Sequence, residues 1–225
     1  MRKAKIALVN TVFALIAGLG SSLMLANDSG HGKFEPNQPT TEWGPGDRQM
    51  TLTKKFAYTD AAGTIWRVPD GTVVDGASIP QAFWSVIGGP LEGPYRRASI
   101  VHDYFCVDRS EPWQLVHRMF YEAMLAAGTP KVKAKVMYYA VLVGGPRWEK
   151  VIYKNHPPRA FPRPGDTDEP KIEPWTISYD EQLAKVHREK IEATDPSLDE
   201  IERLASLAFE GKAPPEEVRT DQRGK

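Results

Sequence analysis

The stretch TIWRVPDGTVVDGASIPQ, residues 64–81, changes its period part of the way along, and that change decides the fold class. Thr64–Val68 is rich in β-branched and aromatic residues and reads as a strand. Pro69-Asp70-Gly71 is turn chemistry, and Thr72-Val73-Val74 is a further short extended run. Ser78-Ile79-Pro80-Gln81 then reads as a helix start. Ser78 can accept from the free N–H groups of a first turn, Gln81 stands at the reciprocal capping-box position, and Pro80 is tolerated there.

Upstream, Met50, Leu52, Phe56 and Tyr58 predict one strand over 49–58, joined through the turn at Asp60–Gly63 to the strand at 64–68. Downstream the period is helical. Ala98, Ile100, Val101 and Phe105 place a helix over 95–106. Trp113, Val116, Met119, Phe120, Ala123 and Ala127 recur at spacings of three and four, behind Ser110 as a cap. Gly128 suits the left-handed position that ends this helix, and Thr129-Pro130 opens another through Val132, Val136, Tyr139, Ala140 and Val143. Arg147–Lys154 predicts a short last piece. Strands first and helices after argue against alternating βαβ units. The expectation is an α+β fold: a small antiparallel sheet (about 50–75) packed on three or four helices (about 79–154).

The flanks read differently. Arg2, Lys3 and Lys5 precede a charge-free run from Ile6 to Ala26, so residues 1–26 predict a secretory signal or an uncleaved N-terminal anchor. Either places the rest outside the cytoplasm, in the periplasm or facing it. Residues 27–47 read as a flexible leader, 48–155 as the globular domain, and 156–176, with its prolines, as a linker. Residues 177–211 predict a helical extension, its second helix opened by Ser197-Leu198-Asp199-Glu200. Residues 212–225 predict a disordered tail. The apolar stripe Leu198, Ile201, Leu204, Ala205, Ala208 needs a partner surface.

Charge is uneven although the 225 residues sum to zero. Residues 1–165 carry 20 Lys+Arg against 13 Asp+Glu, and residues 166–225 carry 9 against 16. Between Lys131 and Arg163 eight basic residues face one acid, Glu149, a bias that suits an anionic cell-envelope polymer or the acidic tail. Nucleic acid is disfavoured, because the chain reads as exported and no stacking aromatics accompany the charge. Cys106 is the only cysteine, so no intramolecular disulfide exists, and the expectation is a small buried thiol.

Trp66-Arg67-Val68-Pro69-Asp70-Gly71, Asp75-Gly76-Ala77-Ser78-Ile79-Pro80, Phe83-Trp84, Tyr95-Arg96-Arg97-Ala98, His102-Asp103-Tyr104 and Arg118–Met124 together resemble domain-of-unknown-function family 1353, over about residues 50–146. That family is found in bacteria and their phages, and the resemblance implies no established activity. Where the family pattern looks to have an Asp before Arg-x-Phe, this chain has His117.

The candidate site is Asp75, His102, Asp103 and His117. Asp75 is either a turn carboxylate accepting backbone N–H groups or a ligand or general base at a strand end. Adjacent helical residues point about 100° apart, so His102 and Asp103 share an ion only if it lies between their directions. Otherwise Asp103 pairs with an arginine or a backbone donor. His117 is a core-edge histidine unless the two helices pack side by side, when it becomes a further ligand. Ser78 reads as a cap and not as a nucleophile. Two functions follow as expectations. One is a metal-dependent hydrolase in which Asp75, His102, Asp103 and His117 hold a divalent ion such as Zn²⁺. The other is a non-catalytic envelope or phage-derived binding module in which the same residues brace strand-to-helix junctions.

Overall fold

The computed structural model describes residues 30–44, 49–76, 79, 83, 88, 93–148, 174, 176 and 178–209. The N-terminal segment 1–26, Ser78, Pro80 and Gln81 of the expected helix start, nearly all of the 156–176 linker and the 212–225 tail lie outside them. So does the 147–154 piece beyond Trp148.

Two three-stranded antiparallel sheets precede the helices, an α+β architecture. Strands β1 (Lys33–Glu35), β4 (Phe56–Thr59) and β5 (Ile65–Val68) form one sheet with β4 in the centre, and β2 (Thr41–Trp43), β3 (Met50–Leu52) and β6 (Val73–Val74) form the other around β3. In the first sheet Phe56 opposes Val68 and Tyr58 opposes Trp66. These residues alternate with half-buried or exposed ones and fill the face turned to the helices. The β4–β5 turn is held by Asp60, whose carboxylate accepts from the Ala62 and Thr64 N–H groups and from the Trp66 indole.

Two expectations are corrected here. Residues 49–58 are two strands in different sheets, and the leader supplies β1 and β2, which pair with β4 and β3. Strands of three residues between Gly and Pro are too short to display a period.

Five helices follow among the described residues: α1 (Arg96–Asp108), α2 (Trp113–Ala126), α3 (Lys131–Gly144), α4 (Glu181–Thr194) and α5 (Leu198–Leu207). The turn from α2 to α3 uses Gly128 at φ +86°, with the Thr129 N–H reaching back to the Met124 carbonyl in a Schellman closure. Residues 134–143 of α3 are all buried, because α2, α4 and α5 pack around it. The C-terminal extension therefore closes over the domain. Lys135 of α3 is buried and reaches the Asp195 carboxylate and the Pro196 carbonyl between α4 and α5. Asp180 and Ser197 cap α4 and α5. The α1 helix lies against β4, β5 and β6, with the Phe105 ring edge-on to Trp66 at 5.0 Å. No described helix is long and apolar enough to cross a membrane.

Candidate metal centre

His102 and Cys106 stand one turn apart on α1, so their side chains lie on the same face. That face packs on α2, which contributes His117. His102 Nε2 lies 2.9 Å from His117 Nδ1, and Cys106 Sγ lies 3.6 Å from His102 Nε2. One ligand atom from each of the three residues falls within 4.8 Å of the others, so the group could hold a metal ion. Aromatic rings wall it in. Phe120 is 4.5 Å from the His102 ring, while Trp113 and Trp148 lie edge-on to His117 at 5.5 and 6.4 Å. His102 and His117 are fully buried and Cys106 is 6% exposed.

Burial sets the protonation states. It lowers His102 to about 3. His117 is held well below the usual histidine range, first by burial and then by the neighbouring His102 and Arg147. The Cys106 thiol is pushed well up by burial and next by Asp103, against a smaller opposing pull from Arg109. Without an ion the cluster is thus two neutral imidazoles and a thiol, the arrangement a dry interior tolerates.

Asp103 points elsewhere. Its Oδ2 accepts from the Gly76 N–H at 2.8 Å, joining α1 to the end of β6. Burial raises its pKa well above the ordinary value, with the charge of Asp75 adding to the effect and the Gly76 and Asp75 N–H groups opposing it. Asp75 itself is exposed. Of the four candidates, His102 and His117 come together. Asp75 and Asp103 are outside the His102, Cys106 and His117 group, and Asp103 takes the backbone partner that one of its two readings required. The 100° between adjacent helical residues is what parts the doublet. Cys106 is the small buried thiol that the sequence leads one to expect, and its spacing of four from His102 also makes it the third member of the group.

The geometry can be compared with a tetrahedral ion. With Zn–N near 2.0 Å and Zn–S near 2.3 Å, the ligand atoms would sit about 3.3 Å apart for N···N and about 3.5 Å for N···S. The observed 3.6 Å for sulfur to nitrogen fits, and the 2.9 Å between the imidazoles would have to open slightly. The Pro146 carbonyl lies within hydrogen-bonding reach of the His117 imidazole, while Asp103 Oδ1 is buried without a close hydrogen-bond partner among the described residues.

The segment that carries these residues has relatives. The family model described as "Protein of unknown function (DUF1353)" matches residues 50–141, from β3 into α3. The chain is 55% identical over 97 residues to the uncharacterised protein y4jT of Sinorhizobium fredii, which is 43% of this chain and 29% of that protein. It is 44% identical over 105 residues to the uncharacterised protein y4iH of the same organism, 46% of this chain and 44% of that one. The chain thus spans less than half the length of the curated relatives it matches. No solved structure matches.

Proposed function

We propose that the domain binds a divalent ion, Zn²⁺ or a similar metal, through His102, Cys106 and His117, and that the protein is a metal-dependent hydrolase working outside the cytoplasm. The observation that carries this reading is the convergence of two imidazoles and a thiol from two helices within 4.8 Å. Three protein ligands with N and S donors are the set from which catalytic zinc sites leave a fourth position open, and there a bound ion activates water at neutral pH. Beside the cluster, Asp103 keeps a proton on a buried carboxyl, and Asp75 gives that carboxyl an exposed neighbour on the solvent side. Export is inferred from the charge-free run behind Arg2, Lys3 and Lys5, and an anionic envelope polymer such as peptidoglycan suits that compartment.

The burial of all three ligands favours a second reading. A sealed ion would staple α1 to α2 in a binding or assembly module, with Asp103 bracing Gly76. Elemental analysis of the purified full chain, followed by cobalt substitution, separates the two. The hydrolase reading expects one ion per chain, lost in His102→Ala with the fold retained, and a cobalt spectrum that changes when azide is added. A spectrum indifferent to azide assigns the ion a structural role. A correctly folded chain that takes up no metal refutes both metal readings.

A further inference from the structure

A cavity of about 300 Å³ opens between α2, α3 and α5, with Trp113 in its lining. Its charged lining is Arg118, Arg147 and Glu202, and its aromatic lining includes Trp113, Tyr138 and Phe209. Glu202 is already engaged, by Arg118 at 3.3 Å and by the Tyr138 hydroxyl at 2.7 Å. Arg147 is not so matched. It is 9% exposed, its Nη2 donates to the Leu142 carbonyl, and its guanidinium carbon packs 4.9 Å from the Trp113 ring and 4.0 Å from the Phe209 ring. Among the described residues no carboxylate forms an ion pair with it.

A guanidinium nine-tenths out of water without a counter-ion is costly, and ring contacts compensate only part of its charge. Packed against rings, it still has in-plane N–H donors, and that edge is the geometry that grips two oxygens of a carboxylate or phosphate at once. Arg118 is matched by Glu202 and by Glu122 at 3.5 Å, so among the described lining residues Arg147 is the cation without a carboxylate.

We infer that this cavity is a binding site for a small organic anion, a carboxylate or phosphate monoester with a flat apolar body, whose head meets the edge of Arg147 and whose body lies along Trp113, Leu142 and Ala205. Arg147, Ala205 and Phe209 lie beyond the matched segment 50–141, so the site belongs to this chain and its C-terminal extension, not to the family pattern. It goes beyond the metal reading and does not depend on it.

Calorimetric titration of the full chain with benzoate, phenyl phosphate and the neutral isostere benzamide tests the site. The expected result is that at least one anion binds roughly tenfold or more tighter than benzamide, and that Arg147→Gln removes that preference. The better of the two anions names the head group. Gln114→Trp places a ring at the cavity mouth from an exposed helical position and is expected to abolish binding while the thermal midpoint holds. If Arg147→Gln does not fold, the Gln114→Trp chain decides alone. Anions that bind no better than benzamide, or bind unchanged to either folded variant, overturn the inference.

Discussion

Replacing Gly145 by alanine tests how closely the end of α3 is fitted to the metal centre. Gly145 has φ −74° and ψ 164°, extended backbone open to any residue. Through the unfolded state alone, Gly→Ala there would stabilise the chain by about 0.4–1 kcal/mol. The packing opposes this. A Cβ at Gly145 would lie 2.4 Å from the Val141 carbonyl oxygen and 3.1 Å from His117 Nε2. Val141 is fully buried in α3, and its carbonyl accepts the Gly145 N–H at 2.9 Å, so backbone and imidazole both have to move. Overpacking of this kind costs about 1–3 kcal/mol, so after the entropy gain the net loss centres on about 1.3 kcal/mol. For a chain of this size that is a fall in Tm of roughly 3–5 °C. Displacement of His117 is expected to weaken metal retention as well, read by competition with a chromophoric chelator. Gly63→Ala is the control: at φ +89° its cost is backbone strain with nothing within 4 Å, so stability falls while metal retention stays. A Gly145→Ala chain as stable as the parent, with equal metal retention, would refute the argument.

In metal-stripped protein the acid limb of stability is set by the buried cluster. His102 and His117 have lowered pKa values, so each is neutral when folded and gains a proton on unfolding. Their contribution is present above the ordinary histidine value and is lost as pH falls below it. Asp103, raised, keeps its proton when folded and releases it on unfolding above the ordinary aspartate value, which opposes that slope. Two against one leaves a loss of roughly 1 kcal/mol per pH unit between about 4 and 6.5, and Asp103→Asn, which keeps the Gly76 hydrogen bond, should about double it in urea titrations. An unchanged slope counts against the buried carboxylic acid. At the C-terminal extension, Asp195→Ala removes the carboxylate from the buried Lys135 ammonium, leaving it only backbone carbonyls, and should free α4 and α5 to limited proteolysis. Lys135→Met in the same chain should restore protection, since an apolar residue of similar volume needs no partner. Equal cleavage of both variants would contradict the docking contact.

How far the sequence carried this account depended on period and on neighbours. Phe56, Tyr58, Trp66 and Val68 announce a half-buried sheet, and Gly128 and Ser197 mark helix ends because those positions need their particular chemistry. The break between β3 and β4 was missed because Met50, Leu52, Phe56 and Tyr58 keep the same parity across it. Exposed Lys54, in phase with them, was the one sign of a corner. The His102-Asp103 doublet was visible as chemistry but not as geometry, since a helix face has no direction until its neighbour is known. Once α2 lies beside α1, His102 and Cys106 face it and Asp103 faces Gly76. The cavity at Arg147 joins residues nearly a hundred positions apart, from Trp113 to Phe209, and no local pattern announces such a meeting.

X-ray absorption at the zinc edge of the full chain, purified without added chelator, addresses the metal centre most directly. The account predicts a first shell with two nitrogens near ~2.0 Å and one sulfur near ~2.3 Å, the sulfur disappearing in Cys106→Ala. A zinc shell of nitrogen and oxygen alone, or a folded chain that retains no metal, would contradict it.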